Sequence, residues 1–546
     1  MRSRPRLLIL AWMWCAPWLS VGAAAAETPA SPVAGELRSA LDNANGTITA
    51  GASSLPALPV RAFYAERGYQ PLWVDGHGLT GRGEALLQGL RSAGDLGLDP
   101  NAYAPALSLP AAGDPAPLAA AELAMTAAFL NYARDLQTGR LMPRQVDQEY
   151  AVTPPTFGAI GALNAVAAAP NVQAHLVSLA PTDPVYVGLI QGLKHYRALA
   201  AAGGWEAFPP GSKLQPGEVS DRVPVLRRIL RRQGDDPGPE HDGPERDRKV
   251  YDPHLAQAVK RFQQRHGLEP DAVIGPQTAA ALGVSAEDRV RQILINMERW
   301  RWLPRDLGDP HVLVNMAGFE LQLVERGQPP LSMRVVVGQP VRRTPVFSDE
   351  ISYLEFNPTW TVPSTIAVED LLPKIRRDPG MLHAQGISVY ARGAEGSYAV
   401  DPADVDWSTA RKGAFPYRLR QDAGPRNPLG RVKFMFPNPY AIYLHDTPSR
   451  GLFQRSRRAF SSGCIRVEKP VELAERLLAG TPGWSRQRID AAIDSGKTRS
   501  VSLAAPVPVH LVYLTAWQDG DGKMQFREDL YGRDTRLLEA LFKNAA

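Results

Sequence analysis

Cysteine is almost missing from this chain: 546 residues contain two, Cys15 and Cys464. That excludes a disulfide framework and any cysteine-rich zinc site, and the ten histidines are too scattered to supply another. A strong excess of one charge is missing too. The formal net charge is +5, which gives no electrostatic footprint for nucleic acid, so no nucleic-acid partner is expected. Nor is there an uninterrupted apolar run of the ~20 residues that a bilayer-spanning helix needs. A calcium loop is excluded as well. "DGDGK" at Asp519 has Lys523 and Leu530 where positions five and twelve should supply oxygen ligands, and it reads as a hairpin turn. No metal and no cofactor follow from these residues.

What is present starts with "MRSRPRLLILAWMWCAPWLSVGAAAAETPA": arginines at 2, 4 and 6, a short apolar run interrupted by Pro17, then small residues. Residues 1–26 therefore read as a secretory signal peptide cleaved near Ala26. An uncleaved anchor is the alternative, opposed by the short run. Cleavage takes away Cys15 and lowers the net charge from +5 to +2, because three arginines leave and no acid does. Cys464 then remains as the sole thiol of an exported protein, where cysteines usually pair. A leftover cysteine of this kind points to intermolecular pairing or to a reactive thiol.

Composition and length predict several domains. A Pro-, Ala- and Ser-rich lead over 27–61 precedes a region of helical character over 62–210, beginning at "FYAERGYQPLW" and containing an apolar, alanine-rich stripe from Leu118 to Leu136. Nothing in it gathers nucleophile, base and charge, so it reads as a helical scaffold. "GGWEAFPPGSKLQPGE" (203–218) is a linker. Over 211–285 the pattern is compactly helical. Leu255, Val259 and Phe262 share one helix face, Asp252 can cap it, Pro253 fits the first helical position and Gly267 ends it. Together with "DAVIGPQTAAALG" this resembles the three-helix peptidoglycan-binding module over roughly 214–283, with Ala272 where that family usually has Gly. The resemblance implies peptidoglycan binding there, or a spacer. Ser285 and Asp288 have capping-box spacing before a further helix, and from His311 the apolar period changes to two, so strands begin. A late strand alternates from Val507 to Trp517.

A free thiol titrates near ~8.5, so a catalytic one needs a base and a site that favours thiolate. His445 is nearest in sequence. "YAIYLHD" alternates like a strand and puts His445 at its end, with 18 residues, including a basic loop, between it and Cys464. In "SSGCIR", Gly463 permits a close backbone approach, making the N–H groups of Gly463 and Cys464 candidates for holding an oxyanion. Tyr443 shares the strand face of His445 and lines a groove or joins the core. Adjacent strand residues face opposite ways, so the Asp446 carbonyl is expected to orient the imidazole while its carboxylate acts elsewhere. Arg466 either binds an anionic group or forms a structural ion pair. Trp360 either lines the groove or packs.

His445, fifteen residues, then Ser461-Ser462-Gly463-Cys464-Ile465-Arg466 resembles the catalytic motif of the L,D-transpeptidases of the large Gram-negative type. "FNPTWTVPSTI", "NPLGRVKFMFPN" and "YLTAWQDGDGKMQFREDLYGRD" extend that resemblance, as does the domain order, over about 63–534. It implies a multidomain α+β protein: helical scaffold, three-helix peptidoglycan-binding module, and a mostly-β catalytic domain over 286–546, with a capping insertion at about 368–427. It further implies a periplasmic enzyme in which Cys464 attacks a tetrapeptide stem, His445 moves the proton, and Gly463, Ser462, Arg466 and Tyr443 bind oxyanion or substrate. An acceptor stem resolves the thioester into a 3-3 cross-link, and carbapenem-type β-lactams are covalent inhibitors. The alternatives are resolution by water, as in an L,D-carboxypeptidase, resolution by a protein amine, which anchors proteins to the wall, and a wall-binding scaffold with an inert cysteine.

Overall fold

A computed structural model describes residues 31–50, 53–103, 114–236, 248–393 and 396–542. The signal-peptide reading of residues 1–26, with Cys15, lies outside them. The chain divides into two compact units, residues 1–84 with 106–127, and residues 85–105 with 128–546. Residues 62–210, expected as one scaffold, contribute to both.

The first unit contains structure in the stretch read as a low-complexity lead: a helix Pro32–Asp42 and a hairpin of Thr47–Ala50 with Ser53–Pro56. Val33, Leu37 and Leu41 recur at helical spacing and are buried, a signal hidden by the surrounding alanine, proline and serine. Among its apolar residues this unit buries a carboxylate. The Glu122 carboxylate is fully buried and accepts from the Tyr64 hydroxyl at 2.6 Å and from the amides of Leu72, Trp73 and Val74 at 2.7, 2.8 and 3.1 Å. Each of its lone pairs is used, which is the condition for burying such a group.

In the second unit the helices Arg222–Arg232, Pro253–Arg265 and Pro276–Leu282 enclose a core that includes Leu226, Leu230, Leu255, Val259, Phe262 and Ile274. The Asp252 carboxylate caps the second of them by accepting from the Leu255 N–H at 2.8 Å. The helix Ala286–Arg301 follows, with Ser285 Oγ accepting from Asp288 N–H at 3.1 Å.

The β domain begins at His311. Its strands are β1 (His311–Asn315), β2 (Glu320–Val324), β3 (Leu331–Gly338) and β4 (Phe347–Phe356). An inserted lobe carries β5 (Trp360–Thr361), β6 (Ile387–Gly393), β7 (Gly396–Val400) and β8 (Arg418–Gln421). The main sheet resumes with β9 (Val432–Met435), β10 (Leu444–His445), β11 (Ala459–Ser461), β12 (Ile465–Val467) and β13 (Arg499–Val512). Its order is β11-β3-β12-β10-β9-β4-β13-β1-β2, and pairing of β2 with β3 closes it into a ring. β11 adds to β3 outside that ring. Leu354, Phe434, Leu444 and Ile465 share its buried face.

The lobe has its own core, including Leu372, Ile375, Leu382, Trp407 and Leu419, and its sheet takes in Trp360, eight residues before the expected start of the insertion. Trp360 packs against that core. The late strand begins earlier, at Arg499, and ends earlier, at Val512, than its alternation suggests. Beyond Val512 the amides of Leu514 and Thr515 donate to the side-chain carbonyls of Asn315 and Asn296 at 3.0 and 2.9 Å, which takes them out of the ladder. The strand pair Ala516–Gln518 and Met524–Phe526 then closes through Asp519, whose carboxylate accepts from Asp521 and Lys523 N–H. The segment read as a turn is one.

Candidate active site

Register determines which side chains meet. β10 pairs antiparallel with β9, placing Lys433 opposite His445, and parallel with β12, placing His445 opposite Arg466. β9 in turn sets Lys433 opposite Glu355 on β4. Residues opposite one another share a face, so Glu355, Lys433, His445 and Arg466 form one row across four strands. Two residues before His445 and just ahead of β10, Tyr443 shares that face, and its carbonyl accepts from the Ile465 N–H at 3.1 Å, which sets Tyr443 beside Cys464. His445 is thus diagonal to Cys464 across adjacent strands, roughly 7 Å away on a sheet of ordinary spacing.

The turn carrying the thiol is held by two hydroxyls. Ser461 Oγ donates to the Cys464 carbonyl at 2.6 Å and accepts from the Gly463 N–H at 3.2 Å. Thr344 Oγ1 donates to the Gly463 carbonyl at 2.7 Å. Gly463 has φ +120°, a conformation that calls for glycine, and a Cβ there would lie 3.1 Å from Ile442 Cδ1, a tight contact with the end of a side chain. Of the two amides expected to face an oxyanion, that of Gly463 is engaged by Ser461, while that of Cys464 donates to no described residue. Ser462 is exposed, and its hydroxyl accepts from Arg342 Nη1 at 3.0 Å. Arg342 also reaches Asp370 at 2.8 Å and Glu369 at 2.9 Å, on a π-helical turn of the lobe, and so ties the lobe to the thiol loop.

His445 is buried, and its Nδ1 lies 2.6 Å from the Asp446 carbonyl oxygen. A carbonyl only accepts, so Nδ1 carries the hydrogen and the lone pair is on Nε2. The Asp446 carboxylate faces the other way, accepting from Arg431 N–H at 3.0 Å and pairing with Arg431 and Arg450 at 3.3 and 3.2 Å. Burial first, then the Arg466 charge, push the imidazole down to about 3; the carbonyls of Asp446 and Pro428 oppose this. The ring is neutral at any ordinary pH.

By surface area Cys464 is half-buried, yet enough protein packs around its sulfur for desolvation to raise the thiol above its ordinary value. Hydrogen bonds from Tyr443 and the charges of Lys433 and Arg466 act against that rise. Sγ lies 3.6 Å from the Ala441 carbonyl, toward which the thiol donates, and not on the imidazole. The resting pair is therefore a neutral thiol and a neutral histidine, and proton transfer requires the thiol to turn from Ala441. Arg466 is lowered by desolvation, its Nε is buried without an acceptor, and it forms no ion pair with a described residue. The structural ion pair weighed for it is not formed there. No group of metal-binding side chains occurs among the described residues.

The structure thus brings Cys464, His445, Tyr443 and Arg466 to one face, with Gly463 in the adjoining turn and Ser462 at the rim. Sequence reasoning gave no role to Lys433, Ser461, Thr344 or Arg342. Lys433 had a signal, being a cation inside the otherwise apolar alternation "RVKFMF". For Arg342, remote in sequence, there was none.

Residues 309–484, which contain this face, match the family model described as the L,D-transpeptidase catalytic domain. Over those residues the chain is similar to the L,D-transpeptidase catalytic domain. Ahead of it, residues 59–193 match a "Scaffold domain" and residues 219–282 a "Putative peptidoglycan binding domain". A Haemophilus influenzae protein described as "Putative L,D-transpeptidase" is 41% identical over 256 residues, which are 46% of this chain and 50% of that protein. The chain thus spans about half the length of that curated relative. A crystal structure of the L,D-transpeptidase (residues 123-326) from Xylanimonas cellulosilytica aligns over 56% of this chain and 98% of its own, at 16% identity and a TM-score of 0.18, too low to inform the fold. The L,D-transpeptidase domain as matched includes the whole inserted lobe.

Proposed function

We propose that this protein is a periplasmic L,D-transpeptidase that joins peptidoglycan stems by 3-3 cross-links through a thioester on Cys464. The observation that carries the reading is the shared face of β10 and β12: a half-exposed thiol beside Tyr443, diagonal to a buried neutral imidazole whose hydrogen is fixed on Nδ1. His445 Nε2 takes the thiol proton as Sγ attacks the carbonyl between the third residue and the terminal D-alanine of a donor tetrapeptide. The C–S bond forms, the C–N bond breaks, and the proton passes to the departing amine. The amine of an acceptor stem then attacks the thioester, forming the new amide and returning the proton to sulfur. Arg466, without an anion of its own, meets the donor's carboxylate or the developing oxyanion, and the free Cys464 amide adds a donor. Residues 214–283 would hold the enzyme on peptidoglycan. Export places the reaction beyond the cytoplasm, where the energy of the existing peptide bond passes through the thioester to the new one.

Purified protein incubated with disaccharide tetrapeptides should release D-alanine and form dimers, and a carbapenem should add one drug mass at Cys464. An inactive wild type, or equal activity in Cys464→Ala, would eliminate the proposal. Product masses separate cross-linking from hydrolysis and from attachment to a protein amine.

A further inference from the structure

His445 is held neutral, so it does not stabilise a thiolate in the resting site, and another positive group must do so for the sulfur to react at neutral pH. The titratable groups on the sulfur's face of the sheet are Tyr443 just before β10, His445 on β10, Lys433 on β9, Glu355 on β4 and Arg466 on β12. Among them Lys433 stands out. Its ammonium nitrogen lies 4.0 Å from the centroid of the Tyr443 ring, over its face, and it has no hydrogen bond or ion pair with any described residue. Tyr443 in turn hydrogen-bonds Cys464 through its side chain. A cation over a ring face is attracted by the ring's negative face, more strongly as water is excluded. That attraction fixes the ring with its hydroxyl on sulfur, and it sets a second positive charge near the thiol on the side opposite Arg466's strand.

We propose that Lys433 is a positioning residue of the thiol site, holding the Tyr443 hydroxyl on Cys464 and, with Arg466, stabilising the thiolate that His445 generates. The inference deepens the transpeptidase reading and rests on Cys464 being its nucleophile. Its chemistry is that of charge: the ammonium is kept from neutralisation by Glu355 because that carboxylate, although opposite in register, makes no ion pair with it. Burial lowers Lys433 while the charge of Glu355, joined by that of Cys464 once the thiolate forms, acts to keep it protonated, consistent with a cation retained for an anion that forms during reaction.

The test follows the sulfur directly. The pH dependence of iodoacetamide alkylation at Cys464 gives a titration midpoint for the full chain and its variants. Lys433→Gln should raise the midpoint by about one pH unit, equivalent to about tenfold less thiolate at a fixed pH below it. Lys433→Arg, which keeps a cation over the ring, should stay close to wild type. Glu355→Gln removes the opposing negative charge and should lower the midpoint, which keeps the test intact if the Gln variant fails to fold. An unmoved midpoint in folded Lys433→Gln, an Arg variant shifted as far as the Gln variant, or no downward shift in Glu355→Gln overturns the proposal. Because alkylation requires no peptidoglycan, shifted midpoints in a protein that forms no cross-links would leave this inference standing and remove only the functional reading.

Discussion

Ala272 occupies a conformation that alanine avoids. Its φ is +63°, at a position where the similar modules usually carry glycine, and its carbonyl accepts from the Tyr251 hydroxyl at 2.6 Å. The left-handed region costs a non-glycine residue ~1–2 kcal/mol. Replacing it by glycine relieves that strain but gives up ~0.5–1 kcal/mol of backbone entropy and part of a buried methyl worth ~0.8 kcal/mol. Ala272→Gly should therefore melt close to wild type. Ala258→Gly, a buried position inside the helix Pro253–Arg265, should lose ~1 kcal/mol or more. Denaturation of the two variants side by side checks this. At the same scale, His445 makes stability depend on acid. The unfolded chain protonates it below about pH 6.5, whereas the native ring resists until about 3. Between those values the unfolded state holds more protons, so this contribution is complete above about 6.5 and declines as pH falls through the window. Urea midpoints at pH 7 and pH 5 should separate more for wild type than for His445→Gln.

At the scale of elements, the end of β10 depends on a carboxylate outside the chemistry. Asp446 is buried, binds the Arg431 amide and pairs with Arg431 and Arg450, while its carbonyl fixes the His445 tautomer. Removing it leaves the Arg431 amide without its carboxylate acceptor, a charge-assisted bond whose loss costs about 1.5–3 kcal/mol. Asp446→Ala should lower the melting temperature and, by loosening the imidazole, reduce the acylation rate at Cys464 by carbapenem. Gly430 offers a second route to the same element. It has φ +61°, and a Cβ there would lie 2.5 Å from the Asp446 carboxylate, so Gly430→Ala should reproduce both effects. The lobe and the thiol loop are linked similarly through Arg342, which touches Ser462, Asp370 and Glu369. Arg342→Ala should leave alkylation of Cys464 by a small reagent intact while slowing turnover of stem peptides, a split readable from paired assays.

Across the second unit, one buried ion pair connects remote segments. Arg299, on the helix that follows the three-helix module, pairs with Asp534 at 2.6 Å, and Tyr150 and Thr515 bind the two partners at 2.9 and 2.7 Å. Truncating one member of such a pair leaves a buried charge alone, at ~3–5 kcal/mol. Asp534→Ala should cause a large drop in the thermal midpoint, although it is not among the residues of the thiol face. The sequence showed that Arg299 and Asp534 are charged but not that they meet, since 234 residues of chain separate them.

What the sequence determined by itself was local: helix caps at Asp252 and Ser285, the alternation around His445, the glycine before Cys464, and the isolation of the thiol. Each depends on neighbours within a few residues, where backbone geometry fixes the outcome. Tertiary structure decided the rest. Only the parallel pairing of β10 with β12 brings Tyr443 and Arg466 to the sulfur, and only the antiparallel pairing with β9 adds Lys433. Burial of His445, which sets its charge, and the turn of Ser461 onto the Gly463 amide likewise come from contacts that no periodicity encodes. Register and desolvation are properties of the assembled sheet, because they depend on which strands lie side by side and on how much protein covers them.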